Sequence, residues 1–251
     1  MAAEPSTGPP DFIGVGTQRS GTTWWFEALL SHPGIRMPRG GKELHFFDRY
    51  GGRELTAADV AAYHELFPRR PGQIAGEWTP RYVHDFWTPP LLARAAPDAK
   101  LLIMFRDPVE RFRSGLLHQL SLTPNARIEG ITADAIERGR YATQLGRLLA
   151  YHDESKLLIL QYEKCVAEPA EQYRRTLAFL GIDTELRHDG FDRPRGTTQA
   201  ANKQPLWEDM LEALRAAYEP EVLELAAMSA EIDVSRWRNF AHLAAPDALP
   251  A

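Results

Sequence analysis

Phe12-Ile13-Gly14-Val15-Gly16-Thr17-Gln18-Arg19-Ser20-Gly21-Thr22-Thr23-Trp24-Trp25-Phe26-Glu27-Ala28-Leu29-Leu30 decides the fold. Its first four residues form a short apolar run of the kind that makes a buried strand, and the segment from Trp24 to Leu30 reads as a helix. Gly16 and Gly21 bracket the turn between them. In such a turn several backbone N–H groups point into one concavity, and the positive end of the helix dipole adds to them. The stretch suits an anion; the alternative is a glycine turn with no ligand.

The spacing nearly fits the phosphate loop G-x-x-x-x-G-K-[ST]. Gly16 and Gly21 are in register and Thr23 stands at the Ser/Thr position, but Thr22 occupies the lysine position. That lysine reaches the β- and γ-phosphates, so ordinary ATP chemistry lacks its main cation. The cation that is present, Arg19, lies inside the loop. This pattern predicts a phosphorylated ligand whose transferred group is handled in another way.

The chain has 251 residues, of which 44% are apolar, enough for a sizeable core in one α/β domain. A formal net charge of −5 argues against general nucleic-acid binding. The single cysteine, Cys165, excludes an intramolecular disulfide framework and points to a reducing compartment. Residues 1–10 read as a flexible Pro/Ser/Gly-rich tail without the apolar core of a signal peptide, and 11–251 as one domain. No apolar run approaches the roughly 20 residues that span a bilayer, so the expectation is a cytoplasmic protein without a membrane span.

Further along, Ile35 to Pro38 reads as a short strand, and 57–67 as a helix followed by a basic turn in which Arg69-Arg70 reads as solvated surface. Gln73 to Glu77 reads as a strand. Lys100-Leu101-Leu102-Ile103-Met104-Phe105 is the clearest buried strand, apolar enough to be covered on both faces. It ends at Arg106-Asp107-Pro108, and a helix with Ser114 and His118 follows. A helix over about 132–150, a strand at Leu157 to Leu160, a helix from Pro169 to Leu180 stopped by Gly181, and helix over about 206–229 complete the pattern. Trp237 and Phe240 are expected to pin the C-terminus to the core. Strands alternating with helices predict a P-loop-like central parallel sheet flanked by helices on both faces, with ligands at the carboxyl ends of the strands. Arg19, Glu77 and Arg106 all follow strand ends, so one cleft gathers them.

Two constellations stand out. Arg106 and Ser114, an arginine fork and a hydroxyl about two helical turns on, suit a phosphate monoester; the bland alternative pairs Arg106 with Asp107 or Glu110 at the surface. In Lys42-Glu43-Leu44-His45-Phe46-Phe47-Asp48, extended backbone would project Glu43 and His45 to one face and Leu44 and Phe46 to the other. A carboxylate among aromatics suits general-base work. The alternatives are a surface Glu43 paired with Lys42 and a His45 that only fixes the loop. Glu77, Arg81 and Tyr82 either line a substrate pocket or pack a strand end. His118 either meets the phosphate site or packs on its helix. The eight histidines show no metal-ligand spacing.

Together these stretches resemble the sulfotransferases that use 3′-phosphoadenosine 5′-phosphosulfate (PAPS). Thr17 to Trp24 is similar to that family's 5′-phosphosulfate loop, and Phe105-Arg106-Asp107-Pro108 through Ser114 to its 3′-phosphate segment. Lys42 to Asp48 is similar to the segment carrying the catalytic glutamate in the heparan-sulfate sulfotransferase branch. Gly76-Glu77 with Pro80-Arg81-Tyr82 resembles that branch's substrate-side segment. The resemblance implies that Gln18, Arg19, Ser20, Gly21, Thr22 and Thr23 hold the 5′-phosphosulfate and that Arg106 and Ser114 hold the 3′-phosphate. Arg195 and Gly196 lie in the region of the family's last nucleotide contacts. It also implies catalytic roles for Glu43 as base, with His45 beside it, and for Arg19 on the leaving phosphate. Lys42, Glu77, Arg81, Tyr82 and His118 are then expected on the acceptor side, with no metal required. The expected activity is sulfuryl transfer to a hydroxyl or amine of a small-molecule, lipid or carbohydrate acceptor. The alternatives are an atypical P-loop kinase or ATPase and a non-catalytic nucleotide-binding module.

Overall fold

The apolar runs become five parallel strands. They are β1 (Phe12–Gly16), β2 (Ile35–Arg36), β3 (Ile74–Trp78), β4 (Lys100–Phe105) and β5 (Leu157–Gln161), in spatial order β2-β3-β1-β4-β5. The computed structural model describes residues 4–122, 128–185 and 206–244, with backbone alone for 128–131. Parallel pairing needs a crossover between strands, and the helices supply it: α1 (Thr22–Leu30), α2 (Ala57–His64), α3 (Thr88–Ala95), α4 (Pro108–Leu122), α5 (Ile128–Glu137), α6 (Tyr141–Leu149), α7 (Tyr162–Ala167), α8 (Pro169–Leu180) and α9 (Glu208–Met228).

Alternation along the strands divides the core in two. Ile13, Val15, Leu101, Ile103 and Phe105 face a cluster completed by α2, α3, α4, α6 and α9, with Trp237 and Phe240 packed into it. Phe12, Leu102 and Met104 face the other way, against Trp24, Trp25 and Phe26 of α1 and Tyr173, Leu177 and Leu180 of α8. Helices therefore cover both faces. Each fully buried Leu, Ile or Phe contributes about 1.5–3 kcal/mol, so both layers are needed to hold the strand ends that carry the cleft.

One close approach fixes the start of the loop. The Trp78 indole lies across Gly14, where an added Cβ would sit 2.1 Å from the ring, and Trp78 Nε1 donates to the Gly16 carbonyl at 3.1 Å. The end of β3 thereby sets the exit of β1.

The sequence-based boundaries shift at three places. The expected helix over 132–150 divides into α5 and α6 around Gly139, because Tyr218 of α9 packs there: an added Cβ would lie 2.5 Å from its ring, and its hydroxyl donates to the Ala135 and Ile136 carbonyls at 3.2 and 3.3 Å. The strand expected over 35–38 contracts to Ile35–Arg36, as far as β3 pairs with it. Residues 42–48 are not a strand: His45 has φ 50 and a 3-10 turn begins at Asp48. No helix among the described residues is long and apolar enough to cross a membrane.

Candidate active site

The loop after β1 braces itself with its own hydroxyls. Thr17 Oγ1 donates to the Met104 carbonyl at 2.8 Å and lies 2.6 Å from Ser20 Oγ. Ser20 is fully buried, so its hydroxyl ties the loop internally, where the sequence reading aimed it at a ligand. Gly21 has φ 92, a conformation that glycine adopts without a Cβ penalty, and α1 begins directly after it. Thr22 is buried, Gln18 half-buried and Thr23 exposed.

Arg19, Arg106 and Ser114 converge. Arg19 has φ 68, in the left-handed region, and its Nε donates to Ser114 Oγ at 3.2 Å. Arg106 Nη1 donates to the Arg19 carbonyl at 3.1 Å, while its Nε is buried without a hydrogen-bond partner. Burial lowers the Arg19 pKa, the Arg106 charge lowers it further, and Glu43 partly offsets both. Two guanidiniums without a carboxylate partner among the described residues make chemistry suited to an anion. His118, one turn beyond Ser114, is exposed; burial of its ring and then the Arg19 charge lower its pKa.

The aim of Arg106 comes from residues that the sequence reading did not assign. The Asp107 carboxylate accepts from the Val109 and Glu110 N–H groups at 3.0 and 3.2 Å, starting α4, and from Asn239 N and Nδ2 at 3.1 and 2.8 Å. Glu163 accepts from the Asp107 N–H at 3.0 Å and from Trp237 Nε1 at 2.9 Å; burial pushes its carboxyl up to about 7. Tyr162 fills the gap between loop and fork. Its ring lies 4.7 Å beneath the Arg106 guanidinium, and a Cβ on Gly21 would meet it at 2.7 Å.

Across the cleft, Lys42 to Asp48 places its charges in a chain. Lys42 Nζ lies 2.5 Å from Glu43 Oε1 and 3.5 Å from Thr22 Oγ1. A lysine therefore does stand at the residue that occupies the Walker position, but it arrives from a loop after β2. Burial lowers the Lys42 pKa and Glu43 partly restores it. Glu43 Oε2 is 3.4 Å from His45 Nε2, and His45 Nδ1 is 2.8 Å from Asp48 Oδ2. Arg81 Nε lies 3.6 Å from Asp48 Oδ2 and donates to Asp85 Oδ2 at 2.7 Å. The hydrogen bond with Asp85 raises the Arg81 pKa. The sequence pattern points to Glu43 and His45 but not to Asp48, which fixes the ring.

Glu77 and Tyr82, expected among the acceptor-facing residues, lie beneath the cleft with no exposed surface. Tyr63 and Tyr82 hydroxyls donate to Glu77 Oε1 at 2.7 and 3.2 Å, and Thr79 Oγ1 donates to Oε2 at 2.5 Å. The same groups hold the loop above. Glu77 accepts a backbone hydrogen bond from Leu44, Thr79 Oγ1 accepts from the His45 N–H at 3.4 Å, and Tyr82 Oη accepts from the Phe46 N–H at 3.0 Å. Burial pushes the Glu77 carboxyl up to about 7 against these hydrogen bonds. The family resemblance implies the acceptor side for both, and the alternative reading, a packed strand end, is the one their burial matches. Their side chains are the support on which Glu43 and His45 stand. Arg195 and Gly196 lie outside the described residues.

The sulfotransferase domain family matches residues 9–217. Heparan sulfate glucosamine 3-O-sulfotransferase 3B1 of Mus musculus is 32% identical over 203 residues, covering 74% of this chain and 50% of that protein. Heparan sulfate glucosamine 3-O-sulfotransferase 6 of Homo sapiens is 34% identical over 202 residues, covering 74% and 57%. The chain thus spans about half the length of these relatives. The crystal structure of a sulfotransferase from Alicyclobacillus acidocaldarius superposes with a TM-score of 0.73 at 25% identity, covering 91% of this chain and 98% of that one. The match runs from before β1 to the middle of α9 and takes in Arg19, Glu43, Arg106 and Ser114, and on that ground the chain belongs to the sulfotransferase domain family.

Proposed function

We propose that this chain transfers a sulfuryl group from PAPS to a hydroxyl of a carbohydrate acceptor, with Glu43 as the base. One observation carries the reading. The Glu43 carboxylate is held between Lys42, at the mouth of the β1 loop, and His45, on the open side of the cleft. A base thus stands where the donor's reacting end and an acceptor hydroxyl would meet.

The residues present fit such a donor. The concavity before α1 suits its 5′ end. Arg106, with its Nε lacking a partner, and Ser114 suit a second, separate phosphate. When bound, the donor supplies a sulfuryl group attached to a phosphate that departs as part of 3′,5′-bisphosphoadenosine. Glu43 takes the acceptor proton as the acceptor oxygen bonds to sulfur and the bond from sulfur to the phosphate oxygen breaks. Lys42 and Arg19 stabilise the negative charge that builds on the departing phosphate. With its Nδ1–H held by Asp48, His45 presents Nε2 to Glu43 Oε2 and can draw the captured proton toward solvent. The carbohydrate class of the acceptor rests on the names of the relatives above, and the same reading extends to a hydroxyl as the acceptor group.

The test is direct. Incubated with PAPS and a panel of carbohydrate acceptors, the protein is expected to add the mass of one sulfate to a member of the panel and to release 3′,5′-bisphosphoadenosine. Glu43→Gln is expected to slow this by about 10²–10⁴-fold while nucleotide affinity is retained. Turnover of magnesium ATP in place of PAPS, or full activity in Glu43→Gln, would overturn the reading.

A further inference from the structure

Away from the active site, at the β2 edge of the sheet, a cleft of 320 Å³ is lined by Pro5, Arg36, Arg39, Pro68, Arg69, Arg70 and Gln73. Four arginines from two segments, Arg36 with Arg39 and Arg69 with Arg70, line it, in a protein whose formal net charge is −5. Several arginines elsewhere on the surface pair with carboxylates, Arg53 with Asp59, Arg138 with Asp134, Arg175 with Glu231 and Arg236 with Glu168, while Arg49 stacks on the Phe46 and Tyr50 rings. Here only Arg69 pairs with a carboxylate, that of Asp11 at 3.0 Å. Arg39 donates to the Glu65 carbonyl at 3.2 Å, which leaves its charge unpaired. Arg36, Arg39 and Arg70 are exposed and have no carboxylate within 4.0 Å among the described residues.

Holding like charges together is unfavourable, and the fold supplies the framework that does so. Arg69 is fixed by paired backbone hydrogen bonds with Ser6, at 3.0 and 2.9 Å, and by its own guanidinium bonds to Asp11 and the Phe67 carbonyl. The Arg39 backbone N–H donates to the Leu66 carbonyl at 2.7 Å, which ties its segment to the one that carries Arg69. The backbone that carries Arg39 and Arg69 is therefore fixed in place. Guanidinium forks match sulfate and carboxylate groups in bidentate fashion, and Arg36, Arg39 and Arg70 carry theirs on exposed side chains.

We propose that this cleft binds a sulfate or carboxylate group of an anionic carbohydrate chain, at a unit other than the one presented to Glu43. The proposal rests on the carbohydrate reading of the acceptor. Two further observations support it. The site is concave and of a size that takes one sugar unit or one charged group, whereas a bilayer surface is flat. Arg39 is also four residues from Glu43 through Gly40-Gly41, so at most about 14 Å of backbone separates the two along the chain. A polymer bound at one end is within reach of the other.

The experiment reads binding apart from turnover. A fluorescently labelled, heparin-derived oligosaccharide is titrated by anisotropy against the full chain and against the double variant Arg36→Gln, Arg70→Gln. Both side chains are exposed and brace nothing, whereas Arg69 is structural and is left intact. The expected result is a loss of affinity of about tenfold or more in the variant, equivalent to one or more charge-assisted contacts, and a weaker dependence on added salt. Affinity for 3′,5′-bisphosphoadenosine, measured by calorimetry, is expected to stay unchanged and to show that the variant is folded. Equal oligosaccharide affinity in the two proteins would overturn the proposal. So would arginine-dependent binding to phosphatidylserine vesicles with none to the oligosaccharide. Failure of sulfuryl transfer with retained arginine-dependent oligosaccharide binding would sink the proposed reaction and leave this cleft standing.

Discussion

Around Arg19 and Arg106 the cleft is lined by guanidiniums whose partners are a hydroxyl and a backbone carbonyl. Around Glu43, the carboxylates of Glu43, Asp48 and Asp85 already have Lys42, the His45 ring and Arg81 as neighbours. The donor side is a site short of negative charge. On the acceptor side each carboxylate already has a side-chain partner before anything binds. The difference teaches what each half is prepared for. An anion improves the first, and a neutral hydroxyl enters the second without disturbing its pairing. Each half also stands on a buried carboxylate, Asp107 behind Arg106 and Glu77 behind Glu43.

The comparison can be broken most severely at Arg106. Arg106→Ala is expected to lower affinity for 3′,5′-bisphosphoadenosine by about 10–100-fold, the loss of charge-assisted hydrogen bonds worth roughly 1.5–3 kcal/mol. Calorimetry reads it, and wild-type affinity in the variant would remove Arg106 from the donor site. Next is Glu77→Gln. It replaces the acceptor of three hydroxyl groups and the Leu44 N–H, so stability is expected to fall by about 1–3 kcal/mol in denaturant titration. Turnover is expected to fall while nucleotide affinity holds. Equal loss of both would show that the two halves are not separate.

The smallest effect is a pH trend. Burial raises the carboxyls of Glu77 and Glu163 from 4.5 to about 7. Between those values the folded state holds protons that the unfolded chain has released. The contribution to stability is therefore complete below 4.5 and is lost as pH rises through about 7. His84 and His152, lowered by burial, pull the other way below their ordinary value. The difference between wild type and Glu77→Gln isolates the carboxyl: the destabilisation by the substitution is expected to shrink from about pH 5 to pH 8. A gap that widens with pH would contradict the burial argument.

The sheet was legible because its strands are continuous apolar runs. Lys100–Phe105 forms as read, and Pro169–Leu180 ends at Gly181, whose φ is 79. Ser114 was legible as a partner of Arg106, and Arg19 and Arg106 as sharing one cleft although 87 residues separate those two. Each follows the carboxyl end of a strand, and parallel strands bring those ends to one side. The inward turn of Glu77, Tyr82 and Ser20 was not legible, because a polar residue after a strand has the same local sequence whether it faces the cleft or the core. The supports of Arg106 were hidden for a different reason. Glu163, Asn239 and Tyr162 act across the fold, and no local spacing announces such contacts. Arg69-Arg70 read as solvated surface because its companions, Arg36 and Arg39, lie some 30 residues away.

The central claim is that the donor half is built for a nucleotide with a phosphate at each end of its ribose, and thermal unfolding with two ligands tests it most directly. At about 100 times its dissociation constant, 3′,5′-bisphosphoadenosine is expected to stabilise the protein by roughly 2.7 kcal/mol, and magnesium ATP at the same concentration far less. An equal rise in melting temperature with the two ligands would contradict the account.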